Sequence, residues 1–359
     1  MGVMAIEVGP HYPRGPAEMD APHPPAPKAR SARAPCRSVA PDLSGHRLDH
    51  GRALGRGGTT SAEHRRSPTV PTMSSGTAPG LTIVGSVNLD LVARCRELPR
   101  PGETITASAF SLVAGGKGAN QALAAQRMGA RVTMVARVGR DSYGELALAE
   151  LRAGGVDLAA VRPCDEPTGI AMILVDDRGE NQIVVVPGAN AALTGADVQV
   201  PTGDAVLVQL EVGDGPLVEA ARRCRALFAV NAAPSRPVAA EVLTRADLVI
   251  VNRLEAEALG PLRPDTLVAV TYGADGASLH RGAATGPELA RATPPPVVAV
   301  DGTAAGDAFC GALVVALLQG RPHDEALRRG CAAGALAASR PGAQPSLPTA
   351  SAVDAILAP

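Results

Sequence analysis

A chain of 359 residues with 46% hydrophobic side chains can bury a large core, so one sizeable domain with appendages is expected. Its 34 basic and 35 acidic side chains nearly cancel, which argues against a nucleic-acid or membrane-surface protein. The longest apolar run, Ala312 to Leu318, falls far short of the ~20 residues of a membrane span, and six cysteines at 36, 95, 164, 224, 310 and 331 show no metal or Cys-x-x-Cys spacing, so a cytoplasmic protein with reduced core thiols is expected.

The first 78 residues hold 11 of the 32 prolines and five of the seven histidines, with almost no periodic apolar pattern. Such a segment cannot bury enough apolar area to offset its ordering entropy, which predicts a disordered N-terminal extension over 1–78. Its histidines lack paired spacing for a metal, and Met73, ahead of Ser74-Ser75-Gly76, is a second candidate start. From Leu81 the pattern changes. Leu81 to Val87 is an apolar, β-branched run ending at Asn88-Leu89-Asp90, which predicts a buried strand delivering polar groups at its C-terminal end, where open α/β sheets place ligands. Leu91 to Ala93 and Thr104 to Val113 alternate more and flank the turn Pro99 to Glu103, as suits a small, exposed sheet.

Next comes Ala114-Gly115-Gly116-Lys117-Gly118-Ala119-Asn120-Gln121, leading into a helix to Met128. A P-loop would need Gly at 111 and Ser or Thr at 118, where the chain has Ser111 and Gly118, and a dinucleotide fingerprint would need Gly at 121, where it has Gln. What remains is a Gly-Gly turn, one cation and an amide, chemistry suited to hydroxyl and phosphate contacts, or else a plain helix entry with a solvated lysine. Val132 to Val138 then reads as a strand, Ser142 to Ala153 as a helix, and Gly169 to Val175 with Asn181 to Val186 as a hairpin around Asp176 to Gly179. Strands Ala205–Leu210, Leu227–Val230, Leu248–Val251 and Leu267–Val270 follow, with a helix at Leu217–Arg225 and two closing helices, Gly306–Leu318 and Asp324–Ala338.

This alternation predicts an α/β fold, a three-layer α/β/α sandwich around a mainly parallel sheet, with the small sheet as an addition. Asn88, Asp90, Glu211, Asn231, Asn252 and Thr271 would then share one edge of the main sheet. The run Asp301 to Leu313 adds a tight, small-residue turn through Gly306 opening an apolar helix, which is an anion site by its free N–H groups. Asp307 has two readings there, a helix cap or a general base beside a phosphate. Asn252 likewise either caps the helix through Glu255 and Leu259 or serves a site.

The ordered set Gly85 to Asp90, Pro101-Gly102-Glu103, Gly115 to Ala122, Gly188-Ala189-Asn190, Asp301 to Ala312 and Gly342 to Ser346 resembles the ribokinase-like (PfkB-type) sugar kinases over about Leu81 to Leu357. The resemblance implies a kinase domain over 79–359 that phosphorylates D-ribose at its 5-hydroxyl from ATP, with deoxyribose, another furanose or a nucleoside as alternative substrates and a non-catalytic sugar or nucleotide sensor as the alternative class. It implies Asp307 as base, the N–H groups of Ala304, Ala305 and Gly306 as anion hole, and Asn88, Asp90, Gly116, Lys117, Asn120, Glu211 and Asp307 itself as sugar contacts. It further implies Asn252, Thr271, Gly273 and Gly306 at the nucleotide and Asn252 with Glu255 near Mg²⁺. Asp301, Thr303, Ala337, Arg340, Gly342 and Ser346 would surround K⁺. Lid segments near 89–113 and 164–187 are implied to cover the sugar and to pair two subunits as a homodimer, with no nucleic-acid or membrane partner. Three departures stand out, the long N-terminal extension, expected to have no catalytic part, being one. Gly302 replaces a usual hydroxyl residue, and the short run Gly260 to Thr266 replaces a usual helix, which is expected to uncover apolar sheet surface near the adenine side.

Overall fold

The computed structural model describes residues 78–358, so the expected disordered extension lies, Ala78 apart, outside the described residues. The strands are β1 (Gly80–Val84), β2 (Asn88–Arg94), β3 (Ala109–Gly115), β4 (Arg131–Gly139), β5 (Val161–Cys164), β6 (Gly169–Val175), β7 (Asn181–Val186), β8 (Ala205–Gln209), β9 (Phe228–Asn231), β10 (Leu248–Asn252), β11 (Leu267–Thr271), β12 (Ala277–Arg281) and β13 (Glu288–Ala292). The helices are α1 (Lys117–Arg127), α2 (Ser142–Ala153), α3 (Asp214–Arg223), α4 (Ala240–Arg245), α5 (Arg253–Glu257), α6 (Ala305–Leu318), α7 (His323–Ala338) and α8 (Ala350–Leu357).

A nine-stranded sheet runs β13-β12-β11-β10-β9-β8-β1-β4-β5, parallel from β5 to β11 and antiparallel at β12 and β13. Alternate residues of its strands feed two cores. Leu81, Ile83, Leu207 and Ile250 pack with side chains of α1, α2, α6, α7 and α8, while Val206, Val208, Val249 and Val251 face α3 and α4. That is the expected three-layer sandwich, and it explains why these strands read as continuous Val/Leu/Ile runs: both faces are buried. The short strand β5, the antiparallel edge, α4 and α8 were not expected; α8 corrects the reading that two helices close the chain. The expectation for the shortened segment is corrected too. Leu259 and Leu262 fold over the sheet, and Val249, Val251, Val268 and Val270 are each no more than 3% exposed.

The second sheet, β3-β2-β6-β7, is the small exposed one. Its register sorts the side chains. Val92 opposes Ser111 and Ile173, and Ile173 opposes Ile183, all on the face of Asp90; Leu91 opposes Leu112 and Met172, and Met172 opposes Val184, on the other face. The first set, with Asp90, lines a cavity of about 600 Å³ closed on its far side by Asp301 to Thr303 and Pro341 to Ala343.

Candidate active site

The starts of α1 and α6 meet at Asp307. A Cβ on Gly311 of α6 would lie 2.7 Å from the Ala124 methyl of α1, so glycine is what lets the two backbones approach. That approach brings two amides onto the Asp307 carboxylate, which is 6% exposed: Asn120 Nδ2 donates to Oδ2 at 3.0 Å and Gln121 Nε2 to Oδ1 at 2.8 Å. Asp307 is therefore not the helix cap. The cap position is Ala304, whose φ of 59° makes it the one non-glycine in the left-handed region among the described residues, a conformation that costs about 1–3 kcal/mol. The α6 ladder begins with Ala308 donating to the Ala304 carbonyl, so the N–H groups of Ala304 and Gly306 precede it. The third expected anion-hole donor, Ala305, gives its N–H to the Gly302 carbonyl at 3.2 Å.

Around Asp307 the expected polar groups come from both sheets: Glu211 follows β8 of the main sheet, whereas β1 ends at Val84, and Asn88 and Asp90, expected on the edge of the main sheet, lie on β2 of the small one. Glu211 accepts from Ser86 Oγ at 2.5 Å and from the Lys117 N–H at 2.9 Å. Asn88 Oδ1 accepts from Asn190 Nδ2 at 2.7 Å, and Asn190 in turn spans both backbone groups of Val87. The Gly-rich turn serves chain-to-chain approach. Gly116 has φ 89° with the Asn88 nitrogen 2.8 Å from any added Cβ, and a Cβ on Gly118 would fall 2.5 Å from the Ser86 nitrogen. Asp90 feels two neighbouring carboxylates, and the same two act on the Lys117 ammonium. Burial first, then the charges of Glu211 and Asp307, push the Asp90 carboxyl up to about 7. Asp307, then Glu211, hold the Lys117 ammonium above its ordinary value against the opposing effect of its burial.

Two cavities meet at Gly302. One is the space under the small sheet. The other, about 530 Å³, is lined by Thr271, Gly273, Gly276, the prolines 294–296, Phe309 and Ala335, and reaches Ala305 and Gly306. Both include Gly302, whose Cβ, if present, would meet nothing within 4 Å. Gly302→Ala is therefore expected to raise stability by about 0.4–1 kcal/mol through the unfolded chain, read as a higher denaturant midpoint; a lower midpoint would show that the turn needs glycine.

Of the expected cation residues, Asp301, Thr303 and Gly342 line the cavity under the small sheet. Asp301 accepts from the N–H groups of Thr303 and Gly342, each at 2.9 Å. Burial works to raise its carboxyl, but the Thr303 hydroxyl first, then those N–H groups, outweigh it and hold it below the ordinary range. Ala337, Arg340 and Ser346 line neither cavity; the Ser346 hydroxyl donates to the Ala343 carbonyl at 2.8 Å, and the Ala337 carbonyl accepts from the Arg340 N–H. Arg127 Nη1, at the end of α1, grips the carbonyls of Gln344 and Leu347 at 3.0 and 2.6 Å and so ties this loop to the helix that carries Lys117 and Asn120.

On the nucleotide side, Asn252 and Thr271 are cross-strand partners. The capping expectation for Asn252 is realised as a reciprocal box: its Oδ1 accepts from the Glu255 N–H at 2.9 Å and Glu255 Oε2 accepts from the Asn252 N–H at 2.8 Å. Each side chain keeps one polar end outside the box, with Asn252 exposed and Glu255 half-buried. Sequence reasoning assigned no role to Gln121, Asn190, Ser86 or Gln209, although the first three sit inside motifs it singled out. An amide or hydroxyl in a run otherwise packed with small apolar residues is the signal that marks them.

Residues 79–350 match the family model of pfkB family carbohydrate kinases. Similar proteins include the ribokinase of Bacillus subtilis, 35% identical over 294 residues that cover 77% of this chain and 99% of that protein. The ribokinase of Haemophilus influenzae is 34% identical over 295 residues, 75% of this chain and 95% of that one. The solved structure of Arabidopsis thaliana ribokinase, complexed with ribose and ATP, superposes with a TM-score of 0.69 at 30% identity, covering 78% of this chain and 99% of the other.

Proposed function

Because the chain belongs to the pfkB family of carbohydrate kinases, we propose that it transfers the γ-phosphoryl group of ATP to the 5-hydroxyl of D-ribose, giving D-ribose 5-phosphate and ADP. The observation that carries this reading is the buried Asp307 carboxylate, oriented by two amides in the first turn of α6, next to Gly306, which lines the cavity of Thr271 and Phe309. Ribose sits under the small sheet against Asn88, Asp90, Gly116, Lys117, Asn120 and Glu211, and the nucleotide lies along Thr271, Gly273 and the cavity floored by Phe309. As the 5-oxygen attacks the γ-phosphorus and the bond to ADP breaks, Asp307 takes the hydroxyl proton. The N–H groups of Ala304 and Gly306 receive the equatorial oxygens, and Ala305 joins them by releasing its long bond to Gly302. The unit responsible is residues 79–359, with the segments near 89–113 and 164–187 as its lid.

Asn252 and Glu255, each with a polar end outside their capping box, fit Mg²⁺ through water and phosphate oxygens, and the metal when bound offsets phosphate charge. Asp301, Thr303 and Gly342, which line the cavity under the small sheet, offer carboxylate, hydroxyl and backbone oxygens of the hard kind that suits K⁺, and backbone oxygens of Ala337, Arg340 and Ser346 would complete the set. Gly306, where an added Cβ would meet nothing within 4 Å, leaves the room a phosphate needs. Gly306→Ala is thus expected to fold like the parent and turn over about 10- to 100-fold more slowly; unchanged turnover would remove Gly306 from the anion hole.

The activity is tested by ADP release with a panel of pentoses, hexoses and nucleosides under Mg-ATP, with and without K⁺. Ribose-dependent turnover that rises with K⁺ supports the reading. Turnover with a different furanose or a nucleoside alone changes the substrate, and sugar binding without turnover makes the protein a sensor.

A homodimer through the small sheet completes the proposal. Its outer face carries Phe110, Leu112, Met172 and Val184, exposed at 63%, 42%, 52% and 61%. Apolar rows of this size are seldom left in water. Met172→Glu is expected to convert a dimer to a monomer in sedimentation at micromolar protein; a monomeric parent would end the dimer proposal.

A further inference from the structure

We propose that Gln121 is a positioning residue for Asp307, the central member of a buried amide chain that decides which carboxylate oxygen receives the proton; this rests on Asp307 being the base. Gln121 is fully buried, and its amide has no freedom left. Nε2 donates to Asp307 Oδ1 at 2.8 Å and to Asn231 Oδ1 at 2.9 Å, while Oε1 accepts from Gln209 Nε2 at 2.8 Å. Asn231 is pinned in turn, its Nδ2 donating to the Ile250 carbonyl at 3.2 Å. Flipping Gln121 would set its carbonyl against two acceptor oxygens and its NH₂ against that of Gln209, so the chain runs in one direction, toward the carboxylate. Gln209 and Asn231 are the last residues of β8 and β9. The position of Asp307 is therefore referred to the central sheet and not to α6 alone.

The two carboxylate oxygens differ as a result. Oδ1 is committed to a donor that cannot leave. Oδ2 accepts from Asn120 Nδ2, and Asn120 is itself a residue of the sugar pocket whose own Oδ1 is buried without a partner. An arriving hydroxyl can exchange for that bond, donating its one proton to Oδ2 while its oxygen accepts from Asn120 Nδ2. Oδ2 is the oxygen that takes the proton, and Gln121 aims it.

The test compares Gln121→Leu, Gln209→Leu and the double variant with the parent, measuring kcat from ADP release and the sugar Kd by calorimetry without nucleotide. Gln121→Leu is expected to lower kcat about 10- to 100-fold, the range for losing one hydrogen bond to a charged group, with the sugar Kd changed by no more than about twofold. Gln209→Leu should give a smaller kcat loss, and the double variant should be no slower than Gln121→Leu, because Gln209 acts only through Gln121. A Gln121→Leu kcat within about threefold of the parent, equal losses in kcat and sugar affinity, or additive losses in the double variant would overturn the proposal. Where Gln121→Leu does not accumulate as folded protein, Gln209→Leu decides: a kcat loss at constant Kd supports the chain, and an unchanged kcat overturns it. A parent without sugar-dependent turnover would overturn the kinase reading and this one together, whereas turnover kept in Gln121→Leu overturns this one alone.

Discussion

Asp307→Asn should bind ribose about as well as the parent and turn it over about 10²- to 10⁴-fold more slowly, the usual contribution of a positioned general base. The change is nearly isosteric at a buried site, so packing between α1 and α6 survives. Hydrogen bonding survives as well. The new carbonyl can keep the Gln121 donor at Oδ1, while the new NH₂ would face Asn120, whose unpartnered Oδ1 can turn to accept from it. What is lost is the proton acceptor, together with the largest charge that holds the Lys117 ammonium above its ordinary value. Lys117 still keeps Glu211 nearby, and the sugar contacts proposed for Asn88, Asp90 and Glu211 are untouched, so sugar binding is retained. The check is kcat from ADP release beside the sugar Kd from calorimetry. A variant with parental kcat would show that the proton leaves by another route, and a variant that loses kcat and sugar affinity together would place Asp307 in binding and not in proton transfer.

Most of this site was legible from residue order because it is built at strand ends. A parallel strand reads as an apolar run, so the polar residue that stops it marks the sheet edge where ligands bind, and Asn231, Asn252 and Thr271 were found that way, whereas Asn88, read as the end of the first strand, opens β2 of the small sheet. The hairpin of β6 and β7 was legible to the residue because Asp176 to Gly179 is a turn between alternating runs. The edge strands β12 and β13 were not. Ala277–Arg281 and Glu288–Ala292 mix charged and small residues, since an antiparallel edge needs no continuous apolar pattern. The amide chain behind Asp307 was hidden for a different reason. Gln121, Gln209 and Asn231 lie on three elements and meet only through the crossing of α1 over the sheet, a juxtaposition that no local spacing encodes. The cover that Leu259 and Leu262 provide over β10 and β11 belongs to the same class, because a short loop can shield a strand pair when two of its side chains point inward.

Asp90→Asn should make the sugar-free protein more stable at pH 8 by a few kcal/mol and leave it no more stable near pH 4. The carboxyl of Asp90 is raised from an ordinary 3.8 to about 7 by burial and by Glu211 and Asp307, so the folded chain holds its proton more tightly than the unfolded chain. The sign follows from that. Stability contributed by the protonated form is complete below the unfolded value and is lost as pH climbs from about 4 to about 7, at roughly 1.4 kcal/mol for each pH step of one across that interval. Asparagine mimics the protonated form at every pH, so the difference between the two proteins should open across that window and stay level above it, as followed by denaturant midpoints. Sugar binding should move the other way. Ionised Asp90 accepts two hydroxyl hydrogen bonds where asparagine accepts fewer, so the parent should gain ribose affinity between about pH 6 and pH 8 and release protons as it binds, while the variant should bind more weakly with a flat pH profile. Calorimetry in buffers of different ionisation heat reads that proton release directly. A stability difference independent of pH would mean that Asp90 is already ionised in the sugar-free protein, and that neither its burial nor the charges of Glu211 and Asp307 hold its proton.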